Sequence, residues 1–306
     1  MKGSVCVLGS FMMDLVAYAP RRPEQGETLK GTSFTIAPGG KGFNQAVSAS
    51  RAGAHTSMLG HLGRDTFGDT FLEVLVSEGV NTTGIERDIK LGTGVGFPVV
   101  SSGGDNSIII IPQSNDLADE EFVNRYTKLI ENSDVLLLQL ELPLSSSLRA
   151  ARIAKESGVS VVLTPAPVTS VEVLDDFIGL VDILVPNEIE AAALAFPKEG
   201  IEDQAEFLLK KYGCKGVVIT LGLQGAYITD GLSSEMIPAP KVETVDSVGA
   251  GDALCGYLSA QLAVGKDLYE AARYAIYAAS LSVTRVGAAL SVPLASEVTS
   301  FVQALA

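Results

Sequence analysis

Short β-branched apolar runs alternate along the chain with longer stretches in which apolar residues recur every three to four positions. The first kind reads as buried strands: VCVLGS at the start, DVLLLQLE from Asp134, VSVVLTP from Val159, DILVPN from Asp182 and GVVITLG from Gly216. The second kind reads as amphipathic helices over Phe67 to Ser77, Glu120 to Glu131, Leu144 to Lys155 and Glu202 to Tyr212. This alternation predicts βα units around a largely parallel sheet covered by helices, an α/β class. No internal repeat or low-complexity linker divides the sequence, so residues 1–306 are expected to form one domain.

Two stretches break the rhythm. Between about residue 12 and Ile36, Pro20, Pro23, Gly26 and Gly31 separate short apolar pieces, and Thr93 to Ile111 reads as two strands, GVGFPVV and NSIIII, joined by SSGGD. Four short strands, at about 12–36 and 93–111, predict a small β appendage inserted into the α/β domain, placed to act as a lid. The run of four isoleucines is an aggregation risk unless covered. The same appendage of a second copy would cover it, so a homodimer through the lid is expected.

Composition sets limits on the partners. At 47% hydrophobic residues, the chain can bury a large core. Twenty-two Lys and Arg against thirty-six Asp and Glu give a formal charge of −14, which repels nucleic acid and anionic membranes. A polyanion must therefore be met by local devices: backbone N–H groups, helix N-termini and metal cations. No run of eighteen apolar residues occurs, and the first residues lead straight into a strand pattern. Cys6, Cys214 and Cys255 lie far apart with no CxxC spacing, which argues against a disulfide framework or a zinc site. A reducing, cytoplasmic setting is expected, with His55 and His61 as structural or surface residues.

The chemistry concentrates in two segments. In DSVGAGDALCGYLSAQLAVG, residues 246–265, Gly249, Ala250 and Gly251 lead into an apolar helix starting near Asp252. N–H groups of its first turn form an anion hole, with a carboxylate beside it that the helix end favours in its charged form. Phosphoryl transfer, which depends on positioning and charge stabilisation, needs that combination. In APGGKGFNQAVSASRAG, residues 37–53, Gly39, Gly40 and Gly42 precede a helix with Lys41 and Asn44 at its mouth. Its lysine stands between glycines with no following Ser or Thr, so this is not a Walker loop, and a polyhydroxylated ligand suits it better than a triphosphate. Taken singly, each segment also reads as a capped helix start.

Together the two segments resemble the paired signatures of the ribokinase family, also called the PfkB family of carbohydrate kinases, from Val5 to about Pro293. The resemblance implies a three-layer α/β/α sandwich with a mostly parallel central sheet and a β lid, the sugar under the lid and ATP along the sheet edge. It makes Asp252 the catalytic base and Gly249, Ala250 and Gly251 the anion hole. Asp14, Gly40, Lys41, Asn44 and Glu141 become sugar contacts. Asn187 and Glu190 match an NxxE element that organises phosphate and Mg²⁺, and Thr220, Gly222 and Gly225 match the loop lining the ATP site. A potassium site is implied too, from the side chains of Asp246 and Ser291 and the carbonyls of Val248, Ser282, Arg285 and Gly287.

Two positions depart from the pattern. Met12 stands where kinases of D-ribose in the family carry an asparagine, two residues before the aspartate, and a thioether offers almost no hydrogen bonding. Kinases of 2-deoxyribose look similar there, so 2-deoxy-D-ribose is expected ahead of D-ribose. Leu223 replaces a common serine in the nucleotide loop, which bears on ATP affinity and nucleotide choice. Other readings are a kinase of the same fold for a hexose or a nucleoside and a sugar-sensing binder without catalysis. Absence of tryptophan argues against stacking a nucleobase, and an intact GAGD argues against the binder. A dehydrogenase would need GxGxxG after the first strand, which is missing.

Overall fold

The computed structural model describes residues 2–101, 103, 106–168 and 172–305. In chain order the strands are β1 (Ser4–Leu8), β2 (Met12–Ala19), β3 (Ser33–Gly39), β4 (His55–Gly63), β5 (Asn81–Asp88), β6 (Val95–Ser101), β7 (Asn106–Ile111), β8 (Val135–Leu138), β9 (Ser160–Leu163), β10 (Ile183–Leu184), β11 (Gly216–Thr220), β12 (Ala226–Thr229) and β13 (Ser234–Ile237). The helices are α1 (Lys41–Arg51), α2 (Thr66–Ser77), α3 (Glu120–Arg125), α4 (Thr127–Glu131), α5 (Leu144–Glu156), α6 (Glu188–Leu194), α7 (Ile201–Tyr212), α8 (Ala250–Ala263), α9 (Leu268–Ser282) and α10 (Ala295–Leu305).

Nine strands form the large sheet in the order β13-β12-β11-β10-β9-β8-β1-β4-β5, parallel except where β12 runs against both its neighbours. β1, in the interior of the sheet between β8 and β4, shows why three layers form. Val5 and Val7 point to one face and pack with α1, α2, α8 and α9, whereas Cys6 and Leu8 point to the other and pack with α3, α5 and α7. Both faces are buried, so such strands read as continuous apolar runs rather than as alternation. Helix starts are fixed locally: Asp65, Asp119 and Asp267 each accept a backbone N–H of the first turn of α2, α3 and α9, contacts worth about 1 kcal/mol each.

The structure differs from the expectation in detail. The stretch Glu120 to Glu131 breaks into two helices at Tyr126, whose backbone (φ −110, ψ 16) leaves the helical region. DILVPN contributes only two residues to the sheet. β4, with two histidines and two glycines, and β5, NTTGIERD, carry no continuous apolar run, yet they complete the sheet beyond β1.

A second sheet of four strands has the order β3-β2-β6-β7, in which β2 and β6 run parallel and each pairs antiparallel with its hairpin partner. Three residues of the SSGGD connection, 102, 104 and 105, lie outside the described residues. β3 runs past Ile36 to Gly39, straight into the start of α1, so the small sheet is joined covalently to the glycine segment. Register divides its faces. Asp14 pairs with Ala37 and Gly96, and Gly96 with Ile110, so these share one face; Phe34, Ile36, Phe97 and Ile109 share the opposite one. That opposite face is apolar and open to solvent, with Ile109 67% exposed.

Candidate active site

Helices α1 and α8 cross closely because their contact carries small residues. A Cβ on Gly256 would stand 2.4 Å from the Ser48 side chain, and Ser48 Oγ donates to the Ala253 carbonyl at 2.8 Å. That crossing brings the first turns of both helices together. Asn44 Nδ2 donates to Asp252 Oδ2 and Gln45 Nε2 to Asp252 Oδ1, each at 2.9 Å. Asp252 is 9% exposed. Burial pushes its carboxyl above the ordinary range, while the Lys41 charge and the two amide donors pull it back. The N-terminus of α8 has no side-chain cap: Gly249 sits there at φ 77, a left-handed conformation that suits glycine.

Lys41 opens α1 after Gly40, whose φ of 91 and close approach to the Met12 nitrogen exclude a side chain. Glu141, just beyond β8, ties this turn down: its Oε2 accepts from the Lys41 N–H at 2.9 Å and from Ser10 Oγ. Burial depresses the Lys41 ammonium, but Asp252, Glu141 and Glu190 outweigh it and hold the lysine charged. Asp14 reaches the same field from the small sheet. Burial, then the Glu141 charge, pushes its carboxyl up to about 6. Gly39 and Gly96 make room for it, since a Cβ at either would fall 2.6 Å from a carboxylate oxygen. Met12 lies two residues before Asp14 on the same face of β2, its Cγ also against Gly96.

Two cavities meet at the start of α8. The smaller, about 150 Å³, is polar and lined by Lys41, Asn187, Glu190, Gly249, Ala250 and Asp252 among others. The larger, about 360 Å³, is mostly apolar and lined by Gly222, Leu223, Gly225, Pro240, Leu254 and Ile276 among others. Thr220, Ser247, Ala250 and Gly251 border both. An isolated bridge between Asn187 and Thr220 joins the two loops, and Asn187 and Glu190 form a reciprocal capping box on α6. Glu190 is pushed up by burial against the opposing Asn187 and Lys41 contacts.

A profile of the pfkB family carbohydrate kinases matches residues 2–295. The chain belongs to this family. It is a phosphotransferase with an alcohol acceptor. The kinase is 37% identical to the ribokinase of Haemophilus influenzae, with 99% of both chains covered. It is 34% identical to the deoxyribokinase of Salmonella typhi over 94% of this chain and 95% of the relative. Among solved structures, the ribokinase of Thermotoga maritima is similar at 33% identity with a TM-score of 0.90, covering 98% of this chain and 99% of that one. The Arabidopsis thaliana ribokinase complexed with ribose and ATP is similar at 30% identity with the same TM-score, covering 99% of each. These likenesses establish the three-layer sandwich with its smaller sheet as the ribokinase fold.

The expected site residues of the kinase gather into one region apart from the cation set, which forms its flank. There Asp246 accepts from the Val248 and Gly287 N–H groups, both at 3.0 Å, and so pins two loops together. The Ser282 carbonyl accepts from the Arg285 N–H at 3.1 Å, and Ser291 Oγ donates to the Ala288 carbonyl. Among the described residues, no three His, Cys, Asp or Glu side chains gather as a metal site. Any cation must therefore rely on mixed carbonyl, hydroxyl and carboxylate oxygens. Leu223 sits 81% exposed at the rim of the larger cavity. Sequence reasoning missed Ser10, Gln45, Gln139 and Cys255. Cys255, one turn after Asp252, lines the polar cavity beside Thr164, its thiol pushed by burial up to about 12.

Proposed function

We propose that this kinase transfers the γ-phosphate of ATP to the 5-hydroxyl of a pentose, with 2-deoxy-D-ribose preferred to D-ribose. One observation carries the reading: the Asp252 carboxylate stands in the first turn of α8, facing Lys41, where a polar cleft opens into an apolar slot. The slot suits a purine, and Gly222, Gly225 and Thr220 line it. The cleft suits a triphosphate, with the N–H groups of Gly249, Ala250 and Gly251 replacing phosphate hydration. The likeness to a ribokinase solved in complex with ribose and ATP supports a site that takes both a sugar and ATP.

In the proposed mechanism the sugar lies between Asp14, Gly40, Lys41, Asn44 and Glu141. Among the described residues Asn44 Oδ1 has no hydrogen-bond partner, which leaves it to accept from a sugar hydroxyl. Asp252 takes the proton of the 5-hydroxyl as that oxygen bonds to the γ-phosphorus; the bond from phosphorus to the bridging oxygen breaks, and ADP leaves. Lys41 and the α8 N-terminus balance the charge. Asn187 and Glu190 offer hard oxygen donors fit to organise Mg²⁺, which would neutralise phosphate charge when bound. For K⁺, the side chains of Asp246 and Ser291 and the carbonyls of Val248, Ser282, Arg285 and Gly287 offer the oxygen donors such a cation takes, and the Asp246 bonds to the Val248 and Gly287 N–H groups tie two of these loops together.

The small sheet acts as a lid over the sugar in this reading, within a single kinase unit spanning the chain. Its apolar outer face is covered by the lid of a second copy, giving a homodimer. Free, buried Cys6, Cys214 and Cys255 suit a reducing cytoplasm.

ADP release measured over pentoses, hexoses and nucleosides, with and without K⁺, tests the proposal. Both pentoses are expected to be turned over, 2-deoxy-D-ribose favoured in kcat/KM by no more than roughly a hundredfold, because an apolar side chain rejects an added hydroxyl only weakly. Met12→Asn should move that ratio towards D-ribose. A ribose preference that survives the substitution unchanged rules out this role for Met12, and silence with every sugar rules out catalysis.

A further inference from the structure

Gln45 and Gln139 have no part in the mechanism above, yet they form a buried hydrogen-bonded chain that ends on its base. Gln139 Nε2 donates to Gln45 Oε1 at 2.6 Å, and Gln45 Nε2 donates to Asp252 Oδ1. Gln45 is fully buried and Gln139 is 1% exposed. We propose that Gln45, locked in orientation by Gln139, is a positioning residue that fixes the direction of the Asp252 carboxylate. The inference rests on the reading of Asp252 as the base.

The chain has only one workable polarity. A carboxylate can only accept, so Gln45 must present its NH₂ to Asp252 and its oxygen to Gln139. Turning either amide over would set oxygen against oxygen. Gln139 is held in place by tight packing, its Oε1 against Gly9, 2.3 Å from where a Cβ on that residue would stand. β8 ends at Leu138, so Gln139 anchors the base to the rigid large sheet rather than to the small one. As packing alone the pair is a poor solution. Among the described residues Gln139 Oε1 is buried without a partner, a desolvation penalty that a leucine would avoid. Departures of this kind belong at functional sites.

The test uses full-length Gln45→Met, Gln139→Leu, Asp252→Asn and the double variant Gln45→Met with Asp252→Asn, assayed with ATP and 2-deoxy-D-ribose or D-ribose across pH, with melting curves alongside. Gln45→Met should lower kcat about tenfold or more, the worth of a hydrogen bond to a charged group. It should leave the sugar KM within about twofold. The acid limb of the kcat profile should move up by about one pH unit, since an anion that loses a donor holds its proton more tightly. Gln139→Leu should shift both readouts in the same direction by less, and Gln45→Met should add nothing to Asp252→Asn. A folded Gln45→Met with unchanged kcat and acid limb overturns the proposal, as does further slowing of Asp252→Asn. If Gln45→Met does not fold, an unchanged profile for Gln139→Leu overturns it equally. Near-normal turnover of Asp252→Asn instead overturns the base reading itself.

Discussion

The two sheets of this kinase solve opposite problems. β1 and β8 of the large sheet are buried on both faces, and the ends of these strands support groups held by hydrogen bonds: Glu141 beyond β8 holds the start of α1, and α1 holds Asp252. The small sheet exposes isoleucines on both its faces, Ile108 and Ile110 on one and Ile109 on the other. It contributes Met12 and Asp14 to the site while lacking a core of its own. In the proposed reading the difference separates tasks: charge and geometry at the reacting atoms come from the large sheet, and access and sugar recognition from the small one, whose open face a second copy would cover.

The sharpest test of that separation is on the rigid side. Asp252→Asn keeps the size and shape of the side chain while removing the base, although one of its two oxygens that accept from Asn44 and Gln45 becomes a donor, so kcat should fall at least about a hundredfold with only a modest change in melting temperature. Steady-state ADP release and a thermal scan on the same sample check it. Turnover within a few-fold of the parent enzyme would remove Asp252 from this role.

The same division explains what could be read from sequence. DVLLLQLE and GVVITLG declare themselves because strands buried on both faces are continuous apolar runs, and Asp252 and Lys41 stand out because glycines crowd around them. β4 and β5 stay hidden: HTSMLGHLG and NTTGIERD mix polar residues and glycine with few apolar ones, and only pairing, β4 with β1 and β5 with β4, makes them strands. The four lid strands were legible through their turn residues, although β3 reaches Gly39 rather than ending near Ile36. Gln45 and Gln139 lie 94 positions apart and nothing local links them; the α1–α8 crossing at Ser48 and Gly256 sets Gln45 against Asp252.

On the side of the small sheet, Ile36→Asp combined with Ile109→Asp places charge on the face that points away from Asp14. Neither residue shares a face with the sugar contacts, so an effect on the sugar must pass through the sheet itself. The variant is expected to be monomeric by light scattering and to show a sugar KM raised about tenfold, with kcat changed much less. A dimer that persists, or a monomer with the parent KM, would break the link between pairing and lid.

The smallest effect expected joins the two regions at Asp14. Its carboxyl is raised from 3.8 to about 6 by burial and then by Glu141, so the folded chain binds this proton more tightly than the unfolded chain. Between those values, stability therefore falls as pH rises, and above about 6 the full penalty of an ionised Asp14 is present. The shift would correspond to about 3 kcal/mol, but the group is only half-buried and solvent screening reduces it to about 1 kcal/mol. Asp14→Asn should thus stabilise the ligand-free protein by about 1 kcal/mol at pH 7.5, a rise of roughly 2 °C in Tm, while weakening sugar binding. The advantage should shrink below pH 6 and vanish near pH 4, where both states of the parent carry the proton. A variant no more stable than the parent at pH 7.5, or a gap that stays constant down to pH 4, would mean that Asp14 is not held at the site against its own electrostatic preference.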